Sequence, residues 1–115
     1  AKASSGETSE IVADRVARAR NIQSQRLTAL DAPDHITLNA HANGDLLDQI
    51  TSMSEDARTM MNKAAEQAKL SARGYYRILR VARTITDLDT IAGGQNHDMI
   101  QKHHLAEALS YRRIV

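Results

Sequence analysis

Apolar residues along this 115-residue chain recur at spacings of three and four, and no strand-length run alternates apolar with polar positions. Val12, Val16, Ala19 and Ile22 mark one face of a first helix over about residues 8–26, with Thr8 or Ser9 available as N-cap. Residues 28–42 hold the single proline, Pro33, and read as a loop in which Leu38-Asn39-Ala40 packs as a short irregular contact. A short helix over about residues 43–50 would bury Leu46, Leu47 and Ile50. Ser52, with Glu55 three residues on, has the form of a capping box. The helix it opens carries Ala57, Met60, Met61, Ala64 and Ala68 on one face. Ser71 caps the next helix, which reaches about Ala92 and stops at Gly93-Gly94. A last helix over about residues 102–112 turns Leu105, Ala108 and Leu109 inward. The pattern predicts an all-α domain, a small bundle of four to five helices.

Composition agrees. Hydrophobic residues make up 42% of the chain and charged residues 25%, ordinary values for a globular domain. The absence of cysteine excludes a disulfide framework, a thiol nucleophile and the usual structural zinc sites. No apolar run approaches the length of a membrane span, so no membrane partner is expected. The chain opens Ala1-Lys2-Ala3 without Met, and one proline with five glycines is sparse punctuation for a complete enzyme. A piece of a larger protein is expected, with residues 1–7 a linker or disordered lead-in and residues 8–115 the helical domain.

The most informative stretch is Ser71 to Leu88. At 100° per residue, Tyr75, Ile78, Leu79, Val81, Ala82, Ile85 and Leu88 fall on one arc, while Arg73, Arg77, Arg80 and Arg83 fall on the other. One arc suits a core and the other presents a row of guanidinium groups. Arg73 stands in the first turn, where the helix dipole disfavours a cation. Free backbone N–H groups in that turn, joined to a guanidinium, make an anion site suited to phosphate. Two alternatives stay open on spacing alone: Arg73 paired with a nearby carboxylate, and the whole row a solvated face.

Other chemistry is weaker. His97, His103 and His104 lack the i, i+4 spacing of two helical metal ligands and have no cysteine beside them, so no metal site is expected. Asp98 and Glu107 read as caps and surface charges, and Met53, Met60 and Met61 as core filling. Neither a Gly-x-Ser-x-Gly elbow nor a Gly-x-x-x-x-Gly-Lys-Ser/Thr phosphate loop occurs, so the chain by itself is not expected to be an enzyme.

Leu70-Ser71-Ala72-Arg73, followed by the run from Arg77 to Ile85 and by Asp87-Leu88, resembles the most diagnostic stretch of the magnesium-chelatase-like AAA+ ATPases, in the branch of the competence-associated ComM proteins. Upstream, residues 5–9, Arg15-Val16, Ala19-Arg20, Gln23 and Arg26 look like the segment that opens their C-terminal domain. Leu38-Asn39-Ala40 fits its middle motif. Downstream, Ile100, the run from His104 to Leu109 and Tyr111-Arg112 resemble its closing helix. Two departures are small: Thr86 and Gly74 stand where the family commonly has Ala.

The resemblance implies an AAA+ lid domain, a helical unit acting with a nucleotide-binding core elsewhere in its parent. It places Arg73 at the family's sensor-2 position, which reaches a nucleotide γ-phosphate, here expected on the neighbouring subunit. Arg77 and Arg80 become phosphate or interface candidates. ATP and Mg2+ are implied for the parent, and no cofactor for the chain itself. The implied partners are the core of its own chain, the other subunits of a homo-oligomeric ring and, through the parent, DNA; the implied location is the cytoplasm. A competing reading is an independent nucleic-acid-binding module using the Arg73/Arg77/Arg80 face. Fifteen Lys+Arg against fourteen Asp+Glu, with no Phe or Trp and three Tyr, speak against it.

Overall fold

In the computed structural model, residues 8–93 and 97–111 are described, and these form five α-helices and one 3-10 turn. The helices are α1 (Ser9–Ala29), α2 (Gly44–Ile50), α3 (Glu55–Ala68), α4 (Ala72–Gly93) and α5 (Lys102–Tyr111), with the 3-10 turn at Asn39–His41. Among the described residues there is no strand, only an isolated parallel bridge between Met53 and Ile100. The expected lead-in over residues 1–7, the terminator Gly94 and the end of the last helix at Arg112 lie outside the described residues.

Helix α4 is the axis of the molecule. Ile78, Leu79 and Ala82 of α4 meet Ala57 and Met61 of α3 and Leu105 and Ala108 of α5, and Met53 and Ile100 close the same cluster. Leu27, Ala42, Leu47 and Ile50 form a second, smaller core between α1 and α2. Tyr76 is half-buried and packs against both. No cavity-filling metal or cross-link is needed, because each helix contributes an apolar face to one of the two clusters.

Helix starts follow local chemistry. The Thr8 hydroxyl accepts from the Ile11 amide at 3.2 Å, opening α1 where expected. For α3 the cap is Ser54, whose hydroxyl accepts from the Ala57 amide, and not Ser52. The reason lies in tertiary pairing. The Ser52 carbonyl accepts from the Ile100 amide and the Ser54 amide donates to the Ile100 carbonyl, so residues 52–54 are held extended and the helix cannot begin before Glu55.

Two helical faces differ from the periodicity. Ile11, Val12 and Val16 of α1 are exposed, and its buried residues, Ala19, Gln23 and Leu27, all lie in its C-terminal half. On α4, Val81 is exposed and Ile85 and Leu88 are half-buried, whereas Arg83, Thr86 and Asp87 are buried. Arg83 therefore does not belong to the solvated row. At 100° per residue it sits roughly 80° from Arg73, at the edge of the polar arc, and α1 covers that edge. Buried Thr86 satisfies its hydroxyl on the Ala82 carbonyl at 2.7 Å, which lets a polar residue stand at a core position.

Candidate functional site: the arginine end of α4

The start of α4 is fixed by a tight connection. Helix α3 ends with Lys69 in the left-handed conformation (φ 52°), and the Leu70 amide returns to the Ala65 carbonyl at 3.1 Å. Two residues later the Ser71 hydroxyl accepts from Gly74 and the Ser71 carbonyl accepts from Tyr75. The first-turn donors that helix geometry leaves over are the amides of Ala72 and Arg73.

Arg73 stands in this turn with its side chain exposed, and among the described residues it forms no ion pair. The carboxylate partner that one alternative required is not found among the described residues. Arg77, one turn on, is likewise exposed. Arg80 differs: it is half-buried, donates through Nε to the Ala42 carbonyl at 3.1 Å and through Nη2 to Asn43 Oδ1, and so ties α4 to the entry of α2. The row of four guanidinium groups is thus a pair of exposed arginines, a tether and a buried residue.

That buried residue, Arg83, centres a polar knot. Arg83 Nη2 donates to Asp87 Oδ1 at 3.0 Å, one helical turn on, and both side chains are 1% exposed. Arg26 of α1 grips the same carboxylate through both Nη atoms, and Asn39 Nδ2 donates to its Oδ2 at 2.9 Å. Gln23 accepts from the Asn39 amide at 2.9 Å. The Arg83 guanidinium also donates to the carbonyls of Ile50, His97 and Asp98. Burial pulls the Arg83 pKa down, and the adjacent Asp87 carboxylate pulls it back up. Five segments meet here, so the knot sets how α1, the 3-10 turn and the loop before α5 sit on α4. Its residues are those that carry the sequence resemblance: Gln23, Arg26, Asn39, Arg83 and Asp87. Their function as a framework could not be read from spacing, because most of the partners are distant in sequence.

A second polar cluster lies at the other end of α4. Asp89 Oδ2 is 2.7 Å from His104 Nε2, 3.2 Å from His97 Nε2 and 3.6 Å from His103 Nε2. Asp89, His97 and His104 have ligand atoms all within 4.8 Å of one another. The three histidines are brought together by the α4–α5 packing, which intrahelical spacing does not report. Buried His104 also accepts the Gln101 amide on Nδ1 at 3.0 Å, completing the N-terminal turn of α5. Burial, opposed by the hydrogen bond to Asp89, pushes its pKa below the ordinary imidazole value; that bond in turn lowers the pKa of Asp89.

Residues 6–112 match the family described as magnesium chelatase, subunit ChlI C-terminal. The chain is 36% identical over 110 residues to competence protein ComM of Haemophilus influenzae, covering 96% of this chain and 19% of that protein. It is 33% identical over 109 residues to the uncharacterized protein YifB of Escherichia coli, covering 95% of this chain and again 19% of the relative. The chain thus spans about a fifth of the length of these relatives. No solved structure matches it. The coverage of the family match, with the helical architecture it falls on, shows that the chain belongs to the magnesium-chelatase ChlI C-terminal family.

Proposed function

We propose that this chain is the C-terminal helical lid of a magnesium-chelatase-like AAA+ ATPase and that Arg73 is its sensor-2 arginine. The observation that carries the reading is the state of Arg73: exposed, in the first turn of α4, and without an ion pair among the described residues. A cation there works against the helix dipole, and an anion drawn to the same turn relieves that cost. The Ala72 and Arg73 amides and the guanidinium fork together offer donors to a phosphate group.

The chain supplies only this arginine side of a nucleotide site. It carries no phosphate loop, and ATP with Mg2+ would be held by the core of the parent. Arg73 would place charge at the γ-phosphate of a neighbouring subunit's nucleotide, favouring the charge that develops during its transfer. Arg77 extends the cationic surface by one turn. Arg80, tethered to Ala42 and Asn43, acts more as a strut than as a phosphate ligand. The knot around Asp87 keeps α4 in one orientation, so that nucleotide state can be passed to subunit contacts through a rigid body. The parent would be a homo-oligomeric ring in the cytoplasm, linked to DNA, in keeping with a relative called a competence protein. Among the described residues no helix is long and apolar enough to cross a membrane. The nucleic-acid-module reading loses support, because two exposed arginines on α4 are a small electrostatic footprint.

Arg73→Ala tests the assignment. The 115-residue chain should keep its thermal midpoint or gain slightly, since an exposed first-turn cation is replaced by a better helix former. In the ring-forming parent, ATP turnover should fall by about 10²–10³-fold, the usual cost of removing one transition-state donor. Admixed subunits that retain the arginine should restore part of the rate if the contact crosses the subunit boundary. Normal turnover in an intact Arg73→Ala ring would refute the role.

A further inference from the structure

We propose that Asp89, His97 and His103 bind a divalent transition-metal ion, zinc being the best match, with His104 holding the carboxylate in place behind it. The donor set is two imidazoles and one carboxylate, which suits borderline ions such as Zn2+ and Co2+ over the oxygen-seeking Mg2+ and Ca2+. Tetrahedral zinc with bonds of about 2.0–2.1 Å puts neighbouring ligand atoms about 3.3–3.4 Å apart. Asp89 Oδ2 to His97 Nε2 is 3.2 Å, and to His103 Nε2 it is 3.6 Å, on either side of that value. His103 stands outside the trio whose ligand atoms lie within 4.8 Å of one another, and its 69%-exposed side chain turns about its torsions to bring Nε2 to the ion.

His104 is the exception among the three. Its 2.7 Å approach to Asp89 is a hydrogen-bond distance, too short for two ligands of one ion. Its chemistry agrees. Nδ1 accepts the Gln101 amide, so the single proton of the neutral ring sits on Nε2 and points at Asp89, leaving no lone pair there for a metal. This is the arrangement of a supporting residue that orients a ligating carboxylate. The His104 ring also packs edge-on against His97 (centroids 5.0 Å apart) and lies with its centroid 4.0 Å from that of His103. Three protein ligands leave a fourth position for water. The ion would join the C-terminal part of α4, the segment at residue 97 and the first turn of α5, fastening the last helix to the bundle.

The test is titration of the tag-free 115-residue chain with ZnCl2 by calorimetry, and with CoCl2 by visible absorption. Zinc should bind one to one with micromolar affinity, and Co2+ should show the strong bands of a tetrahedral site. At hundredfold excess over Kd, zinc should raise the thermal midpoint by roughly 10 °C. His97→Ala, His103→Ala and Asp89→Asn should each weaken binding at least tenfold. The exposed His103→Ala should leave the metal-free midpoint unchanged, which separates loss of the ion from loss of the fold. Wild-type binding by His103→Ala would overturn this ligand set, and failure of the native chain to take up zinc at about 100 μM would overturn the site.

Discussion

Replacing Asp87 by Asn keeps the size of the side chain and removes its charge, and this is the most exacting perturbation of the fold. The carboxylate is 1% exposed and receives Arg83 Nη2 at 3.0 Å, Arg26 at 3.1 Å and 2.5 Å, and Asn39 at 2.9 Å. An amide offers one oxygen where two were in use, and turns its own NH2 group toward guanidinium donors. Arg83 is left buried without a counter-charge; Arg26, at 22% exposure, can turn partly to water. Breaking one side of a buried ion pair costs about 3–5 kcal/mol. For a domain whose total stability is of order 5–15 kcal/mol, that is a third or more of the whole. Urea unfolding followed by far-UV circular dichroism should show the midpoint of Asp87→Asn dropping steeply with little change in slope. The double variant Arg83→Met/Asp87→Leu should recover only part of the loss, because it removes the stranded charge but leaves Arg26 and Asn39 without their acceptor and the carbonyls of Ile50, His97 and Asp98 without their donor. A midpoint for Asp87→Asn within about 0.5 kcal/mol of the native chain would refute the claim that the knot depends on the Asp87 charge.

Three further outcomes are expected. Met61→Ala, at a fully buried site where α3 meets α4 and α5, should cost about 2–5 kcal/mol by thermal or urea unfolding. Gly74→Ala should stabilise by up to about 0.5–1 kcal/mol in the same assays: a Cβ there would meet only the Ser71 hydroxyl at 3.5 Å and the Leu70 side chain at 3.8 Å, ordinary contacts, and the glycine in the first turn of α4 gives way to a better helix former. Lys69→Gly should raise the melting temperature by a few degrees, since Lys69 holds a left-handed backbone (φ 52°) at the end of α3 that glycine adopts without strain.

The sequence determined the all-α class, the order of the helices and most of their ends, because these depend on period and caps within a few residues of each other. Thr8 and Ser71 behave as their local chemistry says. The family, too, was legible in the linear order of residues 70–88, since a run of residue types at fixed spacing is a property of the chain and not of its packing. Interactions between distant segments decided the rest. Ser54 and not Ser52 caps α3 because residues 52–54 pair with Ile100. Arg83 leaves the solvent row because α1 and the 3-10 turn bring Arg26 and Asn39 to Asp87, and a buried guanidinium is tolerable only with that company. Val12 and Val16 obey the helical period yet remain exposed, because period says which face is apolar and not what will cover it. The histidines around Asp89 were invisible for the same reason: His97 comes from a loop and His103 and His104 from α5, so their meeting at a residue of α4 is a property of the packing, not of any spacing along the chain.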